Sequence, residues 1–437
     1  MQQKQSKTSL VWFRNDLRIN DNSSLLNAIR NSETVIAVYC FDPRHFEKDK
    51  FGFKKAQKFR AKFLIETISD LKLQLSNLGI PLYVFNDYPE NCIANLEAQY
   101  KFDALYLQKE WTEEEYNVYK LVTAIWDDTF TVHQDYNQFL YHPEDLKFDI
   151  KNLPNVFTDF RKHVEKQSII RTINEITNIK NKNNSIKNTT SVPSLKDLGF
   201  EDFTNHPNSA FPLKGGETEA LKHLNNYFFE SKKLGFYKKT RNGLIGKDFS
   251  SKFSPWLANG SLSAKTIYYR VKEFEAIHFK NQSTYWLIFE LIWRDYFKYV
   301  SLKHGNKIFK IEGLLNKDYQ WHTFEKDIQK WINGKTNEPF VNANMIELQK
   351  TGWMSNRGRQ NVASYFAKTL KLDWRIGAAY FESMLIDYDV HSNYGNWLYV
   401  SGVGNDPRDR IFNVKLQAER YDSSGKFQRL WLQDTLF

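Results

Sequence analysis

Thr34–Phe41 reads TVIAVYCF, a short run of β-branched and aromatic residues. Such a run suits a strand buried on both faces, as the strands of a parallel sheet are. Four runs of the same kind accompany it: Thr8–Arg14 (TSLVWFR), Pro81–Phe85 (PLYVF), Ala104–Leu107 and Thr129–His133. Helical patterns lie between them. The clearest is Ala56–Leu78, where Phe59, Phe63, Ile68, Leu71, Leu75 and Leu78 recur at helical spacing and Gly79 supplies the stop. Strands alternating with helices predict an α/β domain over residues 1–150, with a doubly wound parallel sheet. No GxGxxG follows the first strand, so a dinucleotide there is not supported.

Outward from this region the pattern changes. It fades between about Gln167 and Gly216, where Ile179–Thr190 (IKNKNNSIKNTT) is polar and low in complexity. Residues 151–215 therefore read as a long connector, in part mobile. From Glu217 the period is helical, which predicts an all-α domain over 216–437. Two domains agree with a length of 437 residues. With 41% hydrophobic and 26% charged residues, the composition is that of a soluble globular protein. No apolar stretch is long enough for a bilayer, and the polar start Met1–Lys7 leaves no room for a targeting peptide. Two cysteines, Cys40 and Cys92, argue against a disulfide scaffold or zinc site and point to the cytoplasm. The net charge of +10 keeps the chain soluble on the bland reading and fits a polyanionic partner on the sharper one.

Four blocks carry chemistry. In Phe249–Leu257 (FSSKFSPWL), Ser254 before Pro255 reads as a helix cap, with Ser250, Ser251 and Lys252 just upstream. A capped helix start is an anion site, or simply an ordinary cap. In Phe289–Phe297 (FELIWRDYF), Glu290 and Arg294 stand four apart among large apolar residues, a spacing for an ion pair. Thr351–Val362 (TGWMSNRGRQNV) sets Arg357 and Arg359 around Gly358, either a basic turn or a fork for phosphate or carboxylate. Leu385–Arg410 places Asp387 and Asp389 in an apolar segment, followed by Asn393, Trp397, Tyr399 and a Gly-rich loop ending at Asp406–Pro407. No His or Cys spacing accompanies these acids, so no metal is expected. Two carboxylates and two arginines read as a paired network around a ligand.

In this order and spacing the blocks resemble the flavin-binding half of the photolyase/cryptochrome family. Val11–Arg18 (VWFRNDLR) is similar to that family's first strand and turn. Phe157–Glu165, Thr240–Gly243 (TRNG), Asn356–Asn361 (NRGRQN) and Gly404–Arg408 (GNDPR) resemble its cryptochrome DASH branch. The resemblance spans almost the whole chain and is weakest between about 167 and 215. It implies FAD in the helical domain, with Tyr237, Ser250, Ser251, Lys252 and Ser254 at its phosphates and ribityl chain. Arg294 and Asn356 would also contact FAD, Arg359 would pair with Asp387 against the ring, and Asp389 would bond its edge. Asn393 would face the flavin N5, where an amide cannot deliver a proton.

The implied reaction is a light-driven electron loan that splits a cyclobutane pyrimidine dimer. Glu290 and Asn356 would touch the dimer and Trp293 would pack against it. Trp321, Trp374 and Trp397 match the family's tryptophan relay, although among 12 tryptophans plain core packing is the better reading without the family. Tyr399 stands where duplex photolyases carry a second pocket tryptophan, and Gln360 replaces a family Met. Both point to dimers in single-stranded DNA, because unpairing costs least there. Arg357, Arg410, Lys239 and Arg241 would contact phosphates. Gln108–Glu115 (QKEWTEEE) is similar to the family's antenna segment, with Glu113 or Glu110 on methenyltetrahydrofolate; an acidic helix start is the bland reading. A monomer is expected. The rival functions are a light sensor that signals without repair and a non-catalytic nucleic-acid-binding protein. Signalling members carry a long C-terminal extension, and the end at Phe437 is read against that role.

Overall fold

A computed structural model describes residues 6–176, 186–317, 319–406 and 408–433. Five strands, β1 (Ser6–Trp12), β2 (Ser32–Cys40), β3 (Leu82–Phe85), β4 (Ala104–Gln108) and β5 (Thr131–Asp135), form one sheet. All pair in parallel in the order β3-β2-β1-β4-β5. The expected doubly wound sheet is thus present. Alternate residues of each strand serve opposite cores: Val11, Val35, Ala37, Tyr39 and Val84 face one, and Leu10, Trp12, Ile36, Val38 and Cys40 the other. Helices α1 (Ser23–Asn31), α2 (Lys58–Asn77), α3 (Pro89–Tyr100) and α4 (Glu113–Thr123) make the crossovers. Gly79, at φ 71°, ends α2 as expected, with its N–H bonded to the Ser76 carbonyl at 2.9 Å. The last strand begins two residues later than expected. Asp127 holds Thr129 in a turn by accepting its N–H at 2.9 Å.

The helical half comprises α5 (Phe157–Gln167), α6 (Glu217–Asn225), α7 (Tyr237–Thr240), α8 (Ser254–Ala258), α9 (Ala264–Ile277), α10 (Gln282–His304), α11 (Glu325–Ile332), α12 (Pro339–Thr351), α13 (Asn356–Ser364), α14 (Trp374–Met384), α15 (Val390–Ser401), α16 (Val414–Tyr421) and α17 (Lys426–Leu432). The connector is more structured than its composition suggests. Within it, α5 packs on α10 through a Phe157–Trp293 stack at 3.6 Å. Part of the low-complexity stretch Ile179–Thr190 lies outside the described residues. Its last residues cover the edge of the sheet, where the Val84 N–H donates to Thr190 Oγ1 at 3.0 Å.

The two halves are locked by buried polar contacts. Arg18, 2% exposed, donates to the carbonyls of Gly260, Asp21 and Asn137 at 2.7, 2.8 and 2.9 Å. Gly260 is required there: a Cβ would lie 1.9 Å from the Asn15 carbonyl oxygen. Glu217 caps the same turn by accepting the Ile19 N–H at 2.8 Å.

Candidate functional site

Asp387 lies in the tight passage from α14 to α15, where its carboxylate is buried. Arg359, one turn into α13, donates to both of its oxygens at 2.9 and 3.0 Å. The expected pair is therefore formed, and it walls a cavity of about 80 Å³ lined also by Asn356, Gln360, Asn393 and Trp397. Asn393 donates its amide N–H to the Ala378 carbonyl at 3.0 Å. Asp389 caps α15 through the Ser392 N–H at 2.7 Å and accepts from Lys298 at 2.9 Å. Burial pushes its carboxyl up, but the Lys298 ammonium, with His391 and Arg294, outweighs burial and holds it far below the usual range. Asp389 is thus a fixed anion. Gly358 allows α13 to approach α12: a Cβ would sit 2.0 Å from Asn344 Oδ1.

The FSSKFSPWL segment departs from its expected form. Ser254 does not cap a helix; it is the first residue of α8, which has five residues and no side-chain cap. Phe253 already has helical backbone angles, so the helix starts before a serine side chain can reach a free N–H. The turn is instead made by Ser250 and Lys252, both left-handed at φ 63° and 58°. Lys252 turns inward, is 3% exposed, and sets its ammonium 4.6 Å from the Trp353 ring. Burial depresses Lys252 and raises Glu347, and each group opposes the other's shift. Ser251 is buried, and its carbonyl meets His223 Nε2 at 2.9 Å. Tyr237, on α7, is buried nearby, and burial raises its hydroxyl.

Glu290 and Arg294 do not pair, despite their spacing. Glu290 forms its ion pair with Arg241, at the end of α7. Arg294 donates instead to the carbonyls of Gln138 and Leu257, tying α10 to the α/β half and to α8. Consecutive turns of α10 point in related directions, but the nearest carbonyls lie on other elements. Beside Glu290, Trp293 stacks on Phe157 and meets Tyr399 edge-on at 6.0 Å. The Tyr399 hydroxyl accepts from Arg410 at 3.1 Å, and Arg410 also reaches Asp406 at 3.3 Å. Arg357 donates to Gln360 at 2.9 Å and lies 4.5 Å from the Tyr421 ring. Lys239 is exposed.

Two of the three tryptophans, Trp374 and Trp397, belong to one core, and Trp321 packs against it. Trp397 presses on Gly377, one turn after Trp374, so closely that a Cβ there would lie 2.2 Å from the ring. The Trp321 and Trp374 segments run side by side through His322, whose N–H meets the Lys371 carbonyl at 2.8 Å. Asp373 closes the bridge by donating to the His322 carbonyl at 2.9 Å. Of the three, Trp397 lines the small cavity with Asn393.

A larger cavity, about 740 Å³, opens where the C-terminal ends of β1 and β4 diverge. That is the switch point at which open α/β sheets bind ligands. Glu110 and Glu113 line it. Burial raises Glu110, which accepts from Gln108 at 2.7 Å. The far wall, Tyr388, His391 and Tyr394, comes from the helical half and was not singled out by sequence. Tyr388 was within reach, standing between the two aspartates, and it lines both cavities. Arg60, which also lines the larger cavity, gave no sequence signal.

These residues fit a flavin nucleotide. Lys252 offers a buried cation, Arg359–Asp387 a flat charged wall, and Asn393 an amide. Trp397 Nε1 and Asn361 Oδ1 are buried without protein partners. Among the described residues no cluster of acids, histidines or cysteines could hold a metal, and no helix is long and apolar enough to cross a membrane.

Residues 286–435 match the family described as the FAD binding domain of DNA photolyase, and residues 9–178 match DNA photolyase. A cryptochrome DASH of Gloeobacter violaceus is 45% identical over 98% of this chain and 86% of its own. A crystal structure of a Synechocystis cryptochrome superposes with a TM-score of 0.93 at 43% identity, covering 98% of this chain and 89% of that one. A class III photolyase of Agrobacterium tumefaciens gives 0.81 at 26% identity, covering 98% and 87%.

Proposed function

Because the chain belongs to the photolyase/cryptochrome family, as a blue-light flavoprotein of its cryptochrome DASH group, we propose that it repairs cyclobutane pyrimidine dimers in single-stranded DNA. Bound FAD supplies a light-driven one-electron donor, and the electron returns once the two bonds joining the pyrimidines have broken. The chain's own residues do the rest. Arg359 and Asp387 hold one flat wall, Asp389 stays ionised beside Lys298, and Asn393 offers an amide that transfers no proton. Lys252, Ser250, Ser251, Ser254, Tyr237 and Arg294 would hold the remainder of the cofactor.

The observation that carries the reading is a cluster of side chains where α10 meets α15. Glu290, Trp293 and Tyr399 form an acid and two aromatic walls suited to an extruded pyrimidine dimer, with Arg241 bound to Glu290. Photolyases are among the enzymes known to extrude their target. Tyr399 is tied to Arg410 and so gives the pocket a less stacking wall than an indole, which favours a lesion already unpaired. Arg357, Lys239 and Arg410 stand around it for phosphates. Trp397, Trp374 and Trp321 would carry electrons inward from the surface. In the larger cavity, Glu113 and Glu110 would hold methenyltetrahydrofolate as an antenna.

The test is repair of one dimer placed in a single strand, a bubble and a duplex. Single strand and bubble should be repaired well and duplex poorly. Equal repair of paired duplex at matched concentration would overturn the single-strand preference. Failure on all three would overturn repair itself.

A further inference from the structure

The N-terminal end of α10 carries exposed aromatic surface that the lesion pocket does not use. Phe236 and Phe279 are 54% and 41% exposed. The Phe279 ring is fixed from behind. It meets Phe274 edge-on at 5.4 Å, and a Cβ on Gly235 would lie 2.6 Å from it. Asn281 Nδ2 holds that turn by donating to the Gly235 carbonyl at 2.9 Å. Exposed apolar surface marks an interaction site when it is rimmed by polar residues.

The surroundings are basic. Residues 232–241 contain Lys232, Lys233, Lys238, Lys239 and Arg241 and no acid, and residues 277–286 contain Lys280 and no acid. Two carboxylates close by in sequence are taken by other lysines, Asp248 by Lys233 at 2.5 Å and Glu275 by Lys272 at 2.9 Å, and Glu230 accepts from Asn225 and Asn226. Lys232, Lys239 and Lys280 are exposed and have no carboxylate partner among the described residues. The surface also runs into the pocket. Lys238 bonds Gln282 at 2.7 Å and lies 4.3 Å from the Trp286 ring, and Arg241 spans from Trp286 to Glu290. Gln282, Trp286 and Glu290 are successive turns of α10, about 12 Å in all, or roughly three base steps at duplex spacing.

We propose that Phe236 and Phe279, with Lys232 and Lys280, form a second nucleic-acid subsite that stacks bases flanking the lesion on one side of a single strand. The proposal rests on the single-strand reading above and extends it to undamaged nucleotides. Aromatic faces beside unpaired cations are how sequence-tolerant strand binding works, since every base has a face to stack. Such a subsite works only on an unpaired flank, so it would itself favour single strands.

The experiment compares two ligands in the dark, so that no repair occurs: a dimer with one nucleotide on each side, and the same dimer with long single-stranded flanks. Holoprotein binding is followed by fluorescence anisotropy. Wild type should bind the long strand more tightly. Phe236→Ala with Phe279→Ala should cut that gain by about ten-fold per base unstacked and leave the short ligand unchanged. Phe236→Tyr with Phe279→Trp should restore it. Lys232→Ala with Lys280→Ala should flatten the salt slope for the long strand only, by about 0.7 per cation.

A wild type that gains nothing from flanks overturns the platform while the single-strand reading stands. Equal loss on both ligands overturns it too, as damage to the pocket. No binding of either ligand overturns both readings.

Discussion

The two cavities are built in opposite ways. The lining of the small one runs from Asn356 to Val400, three helices and their turns, and its Arg359–Asp387 pair lies within that span, while Asp389 pairs with Lys298 on α10. The lining of the large one runs from Trp12 to Tyr394 and is gathered from strand ends, loops and helices of both halves. A pocket built from neighbouring sequence is held by its own ion pairs. A pocket built from the topology is held by how the two halves dock, and its charged groups are left exposed to desolvation. The first should break when one pair is cut, and the second should respond to pH.

The largest effect is therefore expected at Arg359. Arg359→Ala leaves Asp387 buried without its partner, and breaking a buried pair costs about 3–5 kcal/mol. Arg359 is 23% exposed, so the loss should fall near the lower end. The midpoint of urea denaturation should drop without a change in slope, and flavin should no longer copurify. A variant as stable as wild type would mean that docking, not the pair, holds the small cavity as well.

Glu382 sharpens the other side. It lines the large cavity, and burial raises its carboxyl to about 7, with Arg60 opposing and Glu114 adding. Its folded value lies above its unfolded value of about 4.3. Below about pH 4 both states hold the proton and nothing is lost. As pH rises to 7 the unfolded chain ionises first, so Glu382 destabilises the fold progressively, and the cost is constant above pH 7. The cost is about 4 kcal/mol at most. Glu382→Gln should thus gain stability at pH 8 and little at pH 4. Asp389 runs the opposite way. Its depressed carboxyl contributes stability that persists down through pH 4 and is lost only in stronger acid. A Glu382→Gln gain that is equal at both pH values would remove the contrast between the cavities.

The same contrast explains what the sequence made legible. The strands and α2 follow from local patterns, and β5 slipped by two residues only because Asp127 set the turn. Charge balance across two blocks predicts a paired network, and the family resemblance supplies its partners, Arg359 and Asp387, 28 residues apart. Spacing failed where tertiary partners compete. Glu290 sits one turn from Arg294 yet bonds Arg241, 49 residues earlier in the chain. Ser254 has the residue type of a cap, but the left-handed turn at Ser250 and Lys252 starts the helix one residue too soon. His391 and Arg60 line the large cavity through docking alone, for which no local pattern exists.

The smallest effect concerns Arg410, outside both cavities, beside Tyr399. Arg410 is exposed and basic, which makes it a phosphate contact on charge alone. However, it already donates to Asp406 at 3.3 Å and to the Tyr399 hydroxyl at 3.1 Å. An arginine shared with a carboxylate releases fewer counterions when a phosphate arrives. Each single-strand phosphate fully neutralised contributes about 0.7 to the slope of log affinity against log salt. Arg410→Ala should therefore flatten that slope by less than about 0.7, equally for damaged and undamaged strands, because phosphate carries no lesion information. Freeing Tyr399 should also loosen the wall facing Trp293, so repair of the bound dimer should slow slightly more than binding weakens. Titrating strand binding across salt, with turnover measured under saturating light, separates the two. A full 0.7 change would show that Asp406 does not compete for Arg410 once DNA is bound. Arg410 would then be a pure phosphate clamp, with no role in shaping the pocket.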